Sequence, residues 1–245
     1  LELLHSEWVQ AQLAGLSTLG FVYEYVTRHS GFITQVGSAL RFPEAGKLMG
    51  LAAYGGPQEN LHPWLQTEPG SYSLGISAYD IFLEVEAFKK AWDSGEGRPY
   101  LRPWVVDLAW KVQKELEDAM THLVRTAVEA TGIKKLCLAG GVALNSVANY
   151  QVYRRLELED VFVFPAAADN GIAAGCALWA YHQLEGGTKR PTLEAATLGR
   201  SYSVDEIDAA LDDFAELVEG SALDDKALVQ RTATALAAGH VVARF

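Results

Sequence analysis

Apolar residues at Leu108, Val112, Leu116, Ala119, Leu123, Ala127 and Ala130 recur at three- and four-residue steps. That is the repeat of one helix face, and it predicts a long amphipathic helix over 106–130 that Gly132 closes. The same spacing at Leu16, Leu19, Val22, Tyr23 and Val26 predicts an earlier helix that Gly31 ends. Between them, RFPEAGKLMGLAAYGGP carries glycines at 46, 50, 55 and 56 and prolines at 43 and 57. So much punctuation predicts a structured loop with room for one short helix. Residues 71–83 keep neither period, which predicts short strands and turns in an insertion ending near GEGRPYLRP.

After Gly132 the pattern changes. KKLCLAGG and VFVFP are short apolar runs that read as buried strands, and each is followed by a helical stretch, SVANYQVYRRL and NGIAAGCALWAYHQL. Strand, helix, strand and helix in that order predict an α/β fold with a parallel sheet. Beyond it the chain becomes acidic and alanine-rich, with two helices predicted in SVDEIDAALDDF and DDKALVQRTATALAAG, both acidic in the first turn. The composition shift places a first domain at 1–185, a linker at 186–200 and the start of a second domain at 201–245. The absence of an initial Met and the strand-like end GHVVARF suggest a piece of a longer polypeptide.

A formal net charge of −11 argues against a surface that neutralises phosphate backbones, so no nucleic-acid partner is expected. No apolar run is long enough to span a bilayer, and LELLHSEWVQ lacks the basic start of a signal peptide, so a cytoplasmic protein without a membrane partner is expected. Cys137 and Cys176 stand in apolar surroundings outside any metal-spaced pattern, and read as buried, unpaired thiols.

Three stretches could carry chemistry. Gly140 and Gly141 follow a strand, where two glycines let backbone N–H groups and a helix N-terminus approach a nucleotide. Asn145 comes four residues after Gly141 and could contact a ribose or phosphate; the alternative is an ordinary strand-to-helix turn. Asp169 follows the next strand as either a helix N-cap or a carboxylate that holds a metal ion against phosphate. Glu44 and Lys47 are charged residues among glycines. The histidines form no HxxxH or HExxH pair, and no serine or cysteine sits in a nucleophile elbow.

Taken together and in order, KLMGLAAYG, DLAWKVQKELED, LCLAGGVALNSVAN and VFVFPAAADNGIAAGCALWA resemble the O-carbamoyltransferase family of nodulation-factor and antibiotic-tailoring enzymes, over about 16–200. The resemblance implies a lobe of the actin, sugar-kinase and heat-shock-ATPase fold. It also implies ATP and a divalent metal, iron or another transition metal, with carbamoyl phosphate as donor and a small-molecule hydroxyl, such as that of a sugar or antibiotic, as acceptor. In the family, carbamoyl adenylate forms on a C-terminal domain in cis and the carbamoyl group passes to the acceptor in the large cleft. Gly140, Gly141 and Asn145 would contact the nucleotide and Asp169 the metal, while Glu44 and Lys47 fall in the segment that lines the cleft. The family's N-terminal lobe and its metal-binding histidines are missing here, so the piece is expected to fold at least in part but to have little transferase activity alone. Three other readings share this glycine turn: a sugar-kinase-type phosphotransferase, a transferase of the tRNA threonylcarbamoyl type and a non-catalytic nucleotide-binding domain.

Overall fold

The computed structural model describes residues 18–37, 40–57, 62–72, 74–92, 100, 102–189, 193, 196, 199–218, 220 and 222–243. Internal contacts divide the chain into two units, 1–189 and 190–245.

The first unit opens with α1 (Leu19–His29), where the Thr18 side chain accepts from the Phe21 N–H and Val22, Tyr23 and Val26 are buried. Leu16, the first residue of the expected stripe, lies outside the described residues. An antiparallel hairpin follows, β1 (Ile33–Val36) with β2 (Leu40–Pro43), in the register Ile33 opposite Pro43 to Val36 opposite Leu40. The loop expected from 41 onward is therefore strand at its start, then the short helix α2 (Ala45–Ala52). Four-residue strands that are mostly exposed carry no alternation for a sequence to show.

A second antiparallel pair, β3 (Leu65–Thr67) with β4 (Leu74–Ile76), comes next. The turns and strands expected over 71–83 stop at Ile76, because α3 (Ala78–Trp92) starts there. Its buried residues Ile81, Val85 and Phe88 keep helical spacing, and most of that repeat lies past Leu83.

The long helix is α4 (Pro103–Thr131), 29 residues or roughly 43 Å. Pro103 suits its first turn, and Gly132 closes it in the left-handed region, donating to the Val128 carbonyl at 2.7 Å. Leu108, Val112, Leu116 and Ala119 are buried as the stripe requires, and α1, α2, α3 and β3 all pack on this helix. Burial of Trp64, Leu48, Ile81 and Leu108, each fully enclosed, supplies the apolar driving force of the core.

The expected alternation then appears: β5 (Lys135–Leu138), α5 (Ser146–Arg155), β6 (Asp160–Val163) and α6 (Ile172–Gln183), with β5 and β6 parallel from Lys135 opposite Asp160 to Leu138 opposite Val163. The result is a mixed α/β fold with one parallel and two antiparallel strand pairs among the described residues. The strands are not buried as expected. Leu136, Leu138 and Val161 rest against the core, while Cys137 and Phe162 on the other face are exposed.

The two thiols correct a further expectation. Cys137 lies on the open strand face and Cys176 on α6, which buries no residue, so both are free and exposed. Both should react with Ellman's reagent in the native chain, releasing two equivalents before any denaturant is added; thiols that react only after unfolding would contradict this exposure.

In the second unit α7 (Val204–Asp213) and α8 (Asp225–Ala237) form where expected. Ser203 and Glu206 make a reciprocal capping box on α7, and Asp224 accepts the Ala227 N–H at 2.8 Å on α8. Among the described residues no helix is long and apolar enough to cross a membrane.

Candidate functional site

The carboxyl ends of β5 and β6 are joined by backbone. Gly140 has φ 99°, a conformation that side chains rarely adopt, and its N–H donates to the Ala167 carbonyl at 2.7 Å. The backbone thus accounts for Gly140. Gly141 has no such reason: a Cβ atom there would meet nothing of the protein within 4 Å. Its missing side chain leaves open space at the strand end, where ligands of parallel α/β folds bind.

That space belongs to a cavity of about 1550 Å³ walled by α4 (Leu116, Leu123, Val124), by Tyr23 of α1 and by Met49 of α2. Four of the six sequence-derived candidates line it: Glu44, Gly141, Asn145 and Asp169. Gly140 stands behind its neighbour, and Lys47 does not line the cavity.

Glu44 precedes α2 and accepts from Lys47 Nζ at 2.6 Å and from Thr34 Oγ1 at 2.7 Å. Those two donors, Lys47 first, hold its carboxyl below the ordinary carboxylate value. At neutral pH Glu44 therefore offers negative charge and an acceptor, while the Lys47 side chain is 61% exposed and reaches the site only through Glu44.

Asp169 opens a single 3-10 turn and is exposed. The N-cap of α6 is Gly171, so Asp169 does not cap that helix, and its carboxylate has no partner among the described residues. Among the described residues no three His, Cys, Asp or Glu side chains gather as a metal site. A divalent cation takes several oxygen ligands, so Asp169 by itself does not fit a resident metal.

Asn145 is the buried polar group of the site, 8% exposed. Its Oδ1 accepts the Ala148 N–H at 2.9 Å, capping α5, and accepts Gln113 Nε2 at 3.1 Å, while its Nδ2 donates to Gln113 Oε1 at 2.9 Å. Gln113 Oε1 also accepts the Tyr23 hydroxyl at 2.9 Å, and Gln113 Nε2 donates to Glu117 at 3.1 Å. Arg155 of α5 completes the chain at 2.9 Å from Glu117. Burial, opposed by the Asn145 amide and reinforced by the Glu117 charge, pushes the Tyr23 hydroxyl up, so it stays protonated and a donor. In the sequence Tyr23 shows only as part of the α1 stripe, and Gln113, Glu117 and Arg155 do not stand out. The one signal for Gln113 and Glu117 is a polar pair four residues apart beside the apolar stripe of α4.

These features define a mixed α/β protein with a large cleft at the carboxyl ends of a parallel strand pair. Residues 4–178 match the family described as the carbamoyltransferase N-terminus, and the chain belongs to that carbamoyltransferase family. An uncharacterised protein of Synechocystis is 31% identical over 93% of this chain and 38% of its own length. The nodulation protein NolNO of Sinorhizobium fredii is 32% identical over 80% of this chain and 28% of its own, and the nodulation protein NolO of Bradyrhizobium diazoefficiens 32% over 56% and 25%. The chain thus spans well under half the length of these relatives.

Proposed function

We propose that this chain is the nucleotide-binding part of an O-carbamoyltransferase, an actin-like lobe whose cleft receives a carbamoyl adenylate made from carbamoyl phosphate and ATP. The observation that carries the reading is Gly141, open to the cavity at the strand end without crowding from the protein, in a chain of the carbamoyltransferase family.

In the transfer step an acceptor hydroxyl, such as that of a sugar or antibiotic, attacks the carbamoyl carbon. A new C–O bond forms, the bond from that carbon to the adenylate oxygen breaks, and AMP leaves with the electron pair as the hydroxyl proton is lost to a base. Gly141 and the α5 N-terminus suit the phosphate side of the donor, since a helix start presents N–H groups and partial positive charge. Glu44, ionised and lining the cavity, suits the acceptor hydroxyl as a hydrogen-bond acceptor. No step is assigned to a metal.

Calorimetric titration of ATP tests the reading. The chain should bind ATP, and Gly141→Ala should weaken binding about tenfold while leaving the unfolding midpoint unchanged, because the added Cβ enters ligand space and touches no protein atom. Equal binding by both forms would place the nucleotide away from this turn.

A further inference from the structure

The glycine turn is held from two sides. Residues Gly141–Leu144 form a single 3-10 turn between β5 and α5, in which Gly141, Val142 and Leu144 line the cavity while Ala143 is buried. The hydrogen-bond geometry of such a turn is poorer than that of an α-helix, so contacts from outside decide how rigidly it is held. On the strand side the contact is the Gly140 N–H on the Ala167 carbonyl at 2.7 Å. On the helix side it is Asn149, one turn into α5, whose Nδ2 donates to the Ala143 carbonyl at 2.8 Å. Within the turn the Ala143 N–H donates to the Gly140 carbonyl and the Asn145 N–H to the Val142 carbonyl, both at 3.0 Å.

Asn149 achieves this at a cost to itself. A carbonyl can only accept, so Nδ2 must face Ala143, and Oδ1 is then buried with no hydrogen-bond partner among the described residues. A buried acceptor left unmade is costly, and an apolar side chain would not carry that cost. The bond to Ala143 and the unmade Oδ1 offset one another in stability, so what the residue contributes is the shape of the turn.

We propose that Asn149 is a positioning residue, whose amide pins Ala143 and so holds Gly141 where the turn meets the bound nucleotide. The inference rests on the nucleotide reading for the identity of that ligand, and on hydrogen bonds within the chain for the pin. Asn149 does not line the cavity, so it acts through the turn.

Two measurements on the 245-residue chain test it. In the first, backbone amide exchange is followed by NMR in the unaltered chain and in Asn149→Ala. The Ala143 and Asn145 N–H groups should exchange about tenfold faster in the variant, while the Val112 N–H in α4 keeps its protection. Equal exchange in both chains overturns the pin, and a loss of the same size at Val112 makes the effect global and overturns it as well. Asn149→Thr, of nearly the same volume and with a hydroxyl that bonds back along its own helix, serves if Asn149→Ala does not fold.

In the second, ATP is titrated at a temperature where every variant is folded, so that a change in stability alone leaves the dissociation constant unmoved. Asn149→Ala should weaken binding about tenfold. Combined with Gly141→Ala it should add little to the loss from Gly141→Ala alone, because a turn that is no longer pinned can carry the added Cβ out of the ligand's way. Unchanged binding by Asn149→Ala, or losses that multiply, overturns the role in binding. If the unaltered chain binds no ATP, the nucleotide reading fails, and the exchange measurement still decides whether Asn149 holds the turn.

Discussion

Lys111→Met is expected to lower the unfolding free energy by about 3–5 kcal/mol, read as a lower midpoint in urea at an unchanged slope. Lys111 is buried on α4. Its ammonium donates to the His62 carbonyl at 2.6 Å and to Glu115 at 3.1 Å, stands 3.6 Å from Glu84 and lies 4.5 Å from the centre of the Trp64 ring. The two carboxylates organise the segment before and into β3. Glu84 accepts the Trp64 indole N–H at 2.6 Å, and Glu115 accepts the backbone N–H groups of Trp64 and Leu65 at 3.1 and 3.2 Å. Methionine keeps the apolar stem but leaves two largely buried negative charges facing one another without a cation. Glu115→Gln provides the comparison: it leaves Lys111 and Glu84 as a balanced pair and should cost clearly less. Equal losses in the two variants would show that charge balance among Lys111, Glu84 and Glu115 does not set the cost of removing the ammonium.

How much of this was legible depends on what each element leaves in the chain. Helix α4 buries its stripe from Leu108 through Ala119, turns Leu123 and Ala127 to the cavity and leaves Ala130 exposed, yet the apolar repeat announces the whole helix, and Gly132 marks its end as the observed cap. The β5–α5–β6–α6 succession was legible for the same reason: each apolar run is followed by glycine or proline and then a change of period. Strand exposure was not legible, because a run such as VFVFP is equally apolar whether one face or both are covered, and here Phe162 is left on the open face. Helix α3 is hard to see in the sequence because its repeat from Ile81 to Phe88 begins inside 71–83, a stretch whose first residues keep neither period. At the site, glycines and acids announce themselves by type, whereas Gln113 and Glu117 become visible only once folding brings Asn145 and Tyr23 to the same point of α4. Residue type and spacing alone single out the cleft residues that the structure gathers, Glu44, Gly141, Asn145 and Asp169, and the family resemblance adds the roles expected of them.

Gly171→Ala should destabilise the first unit by about 1–3 kcal/mol, and it should do so where Gly141→Ala does not. The two glycines stand in the turns after β6 and β5, yet their surroundings are opposite. A Cβ at Gly171 would collide with the Ala166 carbonyl oxygen, and would lie 3.2 Å from the Ala166 carbonyl carbon and 3.3 Å from the Phe164 ring. Backbone cannot yield as a flexible side-chain tip can, so the turn itself must move. That turn also supplies the Ala167 carbonyl to the Gly140 N–H and the Ala168 carbonyl to the Gly171 N–H. Displacing it therefore reaches the glycine turn on the neighbouring strand. The expected result is a paired one: Gly171→Ala lowers both the unfolding midpoint and ATP affinity, whereas Gly141→Ala lowers affinity alone. If Gly171→Ala unfolds at the midpoint of the unaltered chain, the close approach of the two backbone segments after β6 is wrong. If its affinity is also intact, the coupling of the two strand ends through Gly140 fails with it.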